Sequence, residues 1–123
     1  MLTLDTNAVI YYLKDDADAV ELLEPLIRTR TPLFIATITE LELFSLPTIT
    51  AEESNRIEAV LPLFSIFPLD SRIARKAAEI RRMYRLKIAD SIIAATALFT
   101  NSTLLTRNIK DFKRISGLPV QAV

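Results

Sequence analysis

The chain has 123 residues, half of them hydrophobic, with 15 Lys and Arg balanced by 15 Asp and Glu and with neither His nor Cys. That length holds a single domain, 1–123, with a core of its own, and the composition is neither repetitive nor disordered. The missing His and Cys exclude an imidazole general base, a thiolate nucleophile, a disulfide framework and the usual nitrogen and sulfur ligands of zinc.

In chain order, Leu2-Thr3-Leu4 is a short apolar strand that stops at Asp5-Thr6-Asn7, after which Ala8, Val9, Tyr12 and Leu13 recur at helical spacing. Asp16 to Arg30 reads as a second helix with the stripe Val20, Leu23, Leu26 and Ile27, ended by Pro32. Leu33 to Ala36 is a strand, and Thr39-x-x-Glu42 resembles a capping box that opens a helix ending by Pro47. Thr50-x-x-Glu53 repeats that start signal for a helix through about Leu61. Ser65 to Leu69 is a third strand, Ser71 to Tyr84 and Ala89 to Thr100 are helices, and Thr103 to Thr106 is a fourth strand. A short helix begins at Asn108, and Pro119 to Val123 is a short terminal strand. Strands alternating with helices throughout predict an α/β domain whose parallel sheet is covered on both faces.

The net charge of zero hides an asymmetry. Residues 1–60 carry 4 Lys and Arg against 11 Asp and Glu, whereas residues 61–123 carry 11 against 4. Seven of the basic groups crowd into Arg72, Arg75, Lys76, Arg81, Arg82, Arg85 and Lys87. Such a strip reads as a solvated helix salt-bridged to the acidic half, or in part as a guide for a polyanion toward an acidic metal centre, and both can hold together. Met1 is followed by no basic leader, and the longest apolar stretch, Ile92 to Phe99, is interrupted by Thr96 and far below a bilayer span. The expected location is the cytoplasm, with no membrane partner.

Four carboxylates stand at element boundaries. In a parallel sheet the working cleft lies beyond the carboxyl ends of the strands, near a topological switch point. Asp5 follows the first strand, Glu42 lies shortly after the second, and Asp111 shortly after the fourth. Asp90 heads a helix face of Ile93, Ala94 and Ala97, where an acid aligned with buried apolar groups needs a partner. Each has a plainer reading. Asp5 is a good helix cap, Glu42 sits where it would reach back to the Thr39 backbone, Asp90 has Lys87 nearby, and Asp111 suits the N-terminal turn of a short helix. With hard oxygen donors and no other catalytic side chains, Mg²⁺ or Mn²⁺ chemistry is the leading catalytic option.

Taken together, Leu4-Asp5-Thr6-Asn7, Ile38-Thr39-x-x-Glu42-Leu43, Asp90-x-x-Ile93-Ala94-Ala95-Thr96-Ala97 and Thr106-Arg107-Asn108-x-x-Asp111-Phe112 resemble the motifs of PIN-domain nucleases, especially VapC-like toxins of toxin-antitoxin pairs. The resemblance spans essentially the full chain. It implies a three-layer α/β/α domain with a central parallel sheet of four to five strands, and a metal-dependent endoribonuclease acting on RNA. It also implies a homodimer and a small antitoxin partner. The family's site acids carry over onto Asp5, Glu42, Asp90 and Asp111 as catalytic and Mg²⁺ or Mn²⁺ ligands, and its supporting polar residues onto Asn7, Thr106 and Asn108. Ser116-Gly117-Leu118 departs from the Pro-Gly-Leu frequent in such toxins, and Leu61 to Ile88 carries no alignable motif. Glu40 rivals Glu42, but the Thr-x-x-Glu-Leu spacing favours Glu42. The dimer surface is expected at the alanine-rich Asp90 to Thr100 helix or at a patch from Phe44 to Leu46.

Three rivals bear comparison. An aspartyl-phosphate phosphatase or receiver-like domain also sets an Asp after an early strand. The phosphatase would carry a second acid where Asn7 stands, and neither predicts the Asp90 and Asp111 motifs. A phosphate-cradling loop needs several glycines, and Gly117 is the only one. The non-enzyme alternative is a PIN-fold module that binds RNA or protein without cutting.

Overall fold

A computed structural model describes all residues, 1–123. Five parallel strands, β1 (Leu2–Leu4), β2 (Leu33–Ala36), β3 (Ser65–Phe67), β4 (Thr103–Leu105) and β5 (Val120–Gln121), form one sheet in the order β3-β2-β1-β4-β5. Leu2 pairs with both Leu33 and Thr103, which fixes β1 at the centre. The chain steps outward from β1 to β3, then returns to the other side of β1 as β4. The switch point therefore lies at the carboxyl ends of β1 and β4, where parallel α/β sheets open a crevice.

Seven helices join the strands: α1 (Thr6–Leu13), α2 (Ala17–Arg28), α3 (Thr37–Phe44), α4 (Ala51–Val60), α5 (Ser71–Tyr84), α6 (Ile88–Phe99) and α7 (Ile109–Phe112). The period of two along each strand divides them between the two faces. Leu2 and Leu4 of β1, Leu33 and Ile35 of β2 and Leu105 of β4 face a core shared with α1 to α4. Ala36 and Leu104 face the other core, built from α5, α6 and Phe112 of α7. The result is the expected three-layer α/β/α arrangement. No helix is long and apolar enough to cross a membrane.

Several helix starts follow from local chemistry. The side chains of Asp5, Asp16, Thr50 and Asp70 each accept from a backbone N–H in the first turn of the helix that follows, as caps must to satisfy orphan donors. The Thr50 and Glu53 box forms as expected, with Glu53 N–H donating to Thr50 Oγ1 at 3.0 Å. The Thr39 box does not. α3 starts three residues earlier, from Ala36, which has no side-chain cap, and Thr39 is a fully buried residue inside the helix. Strand β2 runs directly into α3, so no capping residue marks the boundary.

Helix α6 also departs from expectation. Ser91 to Ala97 are all buried, because α6 lies directly on β1, β2 and β4 and is covered from outside by α5. Its alanines serve that close approach within the chain, and only its ends, with Ile88 and Phe99, are exposed.

Candidate functional site

The turn from β1 into α1 sets the first acid. Asp5 is 6% exposed. One carboxylate oxygen accepts from Ala8 N–H at 2.8 Å, and the other accepts from Thr106 Oγ1 at 2.5 Å. Asp5 N–H donates to the Leu105 carbonyl at 3.2 Å, so the ends of the adjacent strands β1 and β4 are tied at the switch point. Thr106 Oγ1 in turn accepts from Asn108 N–H at 2.9 Å. Asp5 is both the helix cap of its plainer reading and a member of the cleft.

Asp5, Thr6, Asn7, Glu42 and Asp90 line one cleft of about 200 Å³ with Ile10, Leu46 and Ile93 as its apolar walls. Glu40 is absent from that lining. Glu42 is the sixth residue of α3 rather than the third, so it does not reach back to a cap; Thr6 Oγ1 donates to its Oε1 at 2.6 Å. Asp90 lies in the first turn of α6, half-buried, and forms no ion pair with Lys87. Asp111 does not line the cleft. It stands at the edge of the site in α7, where Asn108 Nδ2 donates to its Oδ2 at 3.0 Å.

Electrostatics binds the four acids more tightly than contact does. Burial pushes the Asp90 carboxyl above the usual carboxylate range, and the charges of Asp5, Glu42 and Asp111 push it further, with Lys87 opposing. Burial also raises Asp5, partly offset by the hydrogen bonds from Thr106 and Ala8, with Glu42 adding repulsion. None of the four acids is in a salt bridge. Four carboxylates sharing one neighbourhood without a cationic partner is a costly arrangement.

No group of three or more acidic side chains stands close enough to hold a metal ion in this structure. Each of three acids is held by a neighbouring side chain: Asp5 by Thr106, Glu42 by Thr6 and Asp111 by Asn108. The donor set itself suits a hard divalent cation, being all carboxylate and amide oxygen. A cation of that kind would supply the missing positive charge and draw the side chains inward.

Two residues of the site were given no role in the sequence. Thr6 joins Glu42 to the buried Thr39, with 3.1 Å between the two threonine hydroxyl oxygens. Its partner lies 36 positions away, so only the occurrence of Thr6 within the Leu4-to-Asn7 motif marked it. Arg107 is the other. Its guanidinium lies 3.9 Å from the centre of the Tyr11 ring and bonds Asp16 and the Val123 carbonyl, pinning the loop after β4 against α1 and α2. Its neighbours Thr106 and Asn108 are thereby held in place.

The PIN domain family matches residues 2–118. The chain belongs to this family. Its PIN domain is 43% identical over 72 residues to Ribonuclease VapC1 of Rickettsia felis, a match covering 54% of each chain. A second relative, Ribonuclease VapC of Rickettsia bellii, is 42% identical over the same length. The chain spans about half the length of the curated relatives it matches. Among solved structures, the PIN domain resembles a toxin-antitoxin complex from Klebsiella pneumoniae at 31% identity and TM-score 0.81, covering 96% of this chain and 95% of that one. It also resembles VapBC2 from Rickettsia felis bound to a promoter DNA fragment, with TM-score 0.85 over 99% and 98% of the two chains. The second likeness, at 24% identity, speaks for the fold alone.

Proposed function

We propose that this PIN domain is a Mg²⁺- or Mn²⁺-dependent endoribonuclease of the cytoplasm, the toxin of a toxin-antitoxin pair. The observation that carries the reading is the cleft at the switch point, where Asp5, Glu42 and Asp90 converge with no cationic partner and Asp111 adds its charge from the edge. Membership of the PIN family and the ribonuclease names of the aligned relatives support it.

Asp5, Glu42, Asp90 and Asp111 would hold the cation. When bound, it supplies charge neutralisation at the phosphoryl oxygens and acidifies a water for attack on the phosphodiester. The chain's own residues do the positioning. Thr106 and the Ala8 N–H fix both oxygens of Asp5, Thr6 fixes Glu42, and Asn108 fixes Asp111. Asn7, exposed at the cleft, would orient a ligand or water there, and Ile10, Leu46 and Ile93 form its apolar wall. Hydrolysis balances without any redox partner: the water oxygen bonds phosphorus, one P–O ester bond breaks, and the departing oxygen takes a proton.

Thr6→Val is expected to lower cleavage by roughly 10- to 100-fold, the usual effect of removing a group that orients a metal ligand. It should cost only about 1 kcal/mol of stability. Thr6→Ser, which restores the hydroxyl, should recover most of the rate. Loss of rate in Thr6→Ser with the rate kept in Thr6→Val would show that the methyl packing, not the hydrogen bond, matters.

The antitoxin partner fits an apolar groove of about 110 Å³ lined by Ile10, Leu13, Leu43, Leu46 and Ile57, with Lys14, Glu53 and Arg56 around it. Ile10 and Leu46 belong to both this groove and the acid cleft, so a segment lying in one reaches the other. Homodimerisation belongs to the same reading, supported by exposed apolar side chains such as Leu41, 62% exposed. Sedimentation of the partner-free protein as a monomer would remove it. Leu13→Glu would release a co-purifying small protein and leave RNA cleavage intact.

The direct test of the activity is to incubate the protein, freed of any partner, with tRNA, rRNA fragments and mRNA in Mg²⁺, Mn²⁺ or EDTA. Cleavage with either metal and none in EDTA is the expected result. A second reading, a PIN-fold module that binds RNA or protein without cutting, draws on the spread of the acids. Binding without cleavage under any metal would select it.

A further inference from the structure

The basic strip of α5 and the turn after it is not neutralised by the acidic half of the chain. Arg72 pairs with Asp70 at 3.0 Å and Lys76 with Glu79 at 3.6 Å, both within the strip's own segment. Arg75, Arg81, Arg82, Arg85 and Lys87 are exposed and form no ion pair. Of the two readings of the strip in the sequence, salt-bridging to residues 1–60 is therefore excluded.

The placement of these cations is as informative as their freedom. Arg85 caps α5 in the left-handed conformation, at φ +57°, and turns the chain so that Lys87 caps α6, three residues before Asp90. Between α5 and the start of α6 lies a largely apolar groove of about 240 Å³, lined by Leu69, three alanines of α5, Ile88 and Ile92, with Arg81 and Ser91 as its polar members. Ser91 directly follows Asp90, so only the first turn of α6 separates this groove from the acid cleft.

A phosphodiester entering a cluster of four carboxylates meets repulsion that a cation in the cleft offsets only locally. Unpaired guanidinium groups on α5, at the neighbouring groove, attract the flanking phosphates, each through a planar fork suited to phosphate oxygens. We propose that the α5 to α6 groove, with Arg81 in its lining and the exposed, unpaired Arg82 and Arg85 following it at the end of α5, binds single-stranded RNA on one side of the phosphate that is cut. The apolar lining suits the faces of unstacked bases, and the sugar-phosphate chain runs beside it along the cations. The proposal rests on the ribonuclease reading of the cleft. A second copy of the chain fits this face poorly, because a twofold interface would set the same five cations against one another.

The test is the cleavage kinetics, in Mg²⁺, of a labelled single-stranded RNA over a range of salt concentrations. The wild type is compared with the triple variant Arg81→Gln/Arg82→Gln/Arg85→Gln and with a control pair, Arg28→Gln/Arg30→Gln, on the far side of the sheet. The triple variant is expected to raise KM by about tenfold or more with kcat little changed, the signature of lost uniform binding. The fall of kcat/KM with salt should be shallower by about two log units per log unit, given about 0.7 for each phosphate contact on a single strand. The control pair should match the wild type in both. Should the triple variant fail to fold, Arg81→Gln/Arg85→Gln carries the same expectation with a smaller effect.

Unchanged KM and salt slope in variants of a wild type that cuts RNA would overturn the groove proposal alone. So would a variant that turns monomeric by sedimentation where the wild type is dimeric, because the face would then belong to a second copy. A wild type that cuts no RNA would overturn both the proposal and the reading beneath it.

Discussion

RNA cleavage by the Asp5→Asn and Asp90→Asn proteins is expected to fall by at least about 10³-fold, with the fall in kcat rather than in KM. A divalent cation is worth several kcal/mol of transition-state charge stabilisation, and each 1.36 kcal/mol is tenfold in rate. Both variants remove a charged oxygen from the donor set without changing side-chain size. Asparagine at position 5 still offers a carbonyl to the Ala8 N–H, so the loss would not reflect unfolding. Glu40→Gln, on the same helix as Glu42 but outside the cleft, should cut at the wild-type rate. Steady-state kinetics on one defined RNA checks all three. Full activity in Asp90→Asn would remove that acid from the mechanism.

The same carboxylates make the metal-free protein sensitive to pH. Asp5 and Asp90 have folded pKa values raised above the ordinary 3.8, so their ionisation opposes folding. Their stabilising contribution is fully present below the unfolded value and is lost as pH rises through the folded values. In EDTA, stability should therefore climb as pH falls from neutral into mild acid. Asp70 works in the opposite sense. Its pKa is lowered by the Ile73 N–H and Arg72, so its contribution is present above 3.8 and disappears only at lower pH. The maximum is expected in mild acid, not at neutrality. Saturating Mg²⁺ should flatten the slope and add about 2.7 kcal/mol at a concentration 100 times Kd, roughly 10 °C in melting temperature for a chain of this size. Thermal melts across pH, with and without Mg²⁺, test this. A metal-free Asp5→Asn/Asp90→Asn protein that keeps the full slope would contradict it.

The element order was legible because each strand is a short apolar run and each helix has its own period. The switch point was legible only as a rule, since nothing in the chain states that β4 returns beside β1; the pairing of Leu2 with Thr103 does so in three dimensions. Helix starts with a side-chain cap, such as Thr50, were found. α3 was misread because it issues from β2 without one, leaving Thr39 as the nearest plausible cap. Helix α6 misled in another way. Ile92, Ile93, Ala94, Ala95 and Ala97 are apolar around most of its circumference, the pattern of a helix buried within its own fold, yet its small residues were read as an interface between chains.

For the site, the types and order of Asp5, Glu42 and Asp90 pointed to one cleft, and the structure brings them there. Asp111 was less legible, because α7 sets it at the edge with Asn108 rather than in the lining. Thr6 was missed because its partners, Thr39 and Glu42, are remote in sequence, and a hydroxyl pattern carries no periodicity. The charge asymmetry was plain in the composition. Which cations stay free depends on rotamers and helix faces that only three dimensions fix.

The central claim is that four acids on four elements serve one cation, although in this structure they line and border a cleft without closing on a point. The most direct measurement is a Mn²⁺ titration followed by electron paramagnetic resonance, on the wild type and on Asp5→Asn, Glu42→Gln, Asp90→Asn and Asp111→Asn. Saturable binding by the wild type, weakened in all four variants, is the predicted result. A wild type that binds no Mn²⁺, or binding that survives Asp5→Asn and Asp90→Asn unchanged, would contradict the account.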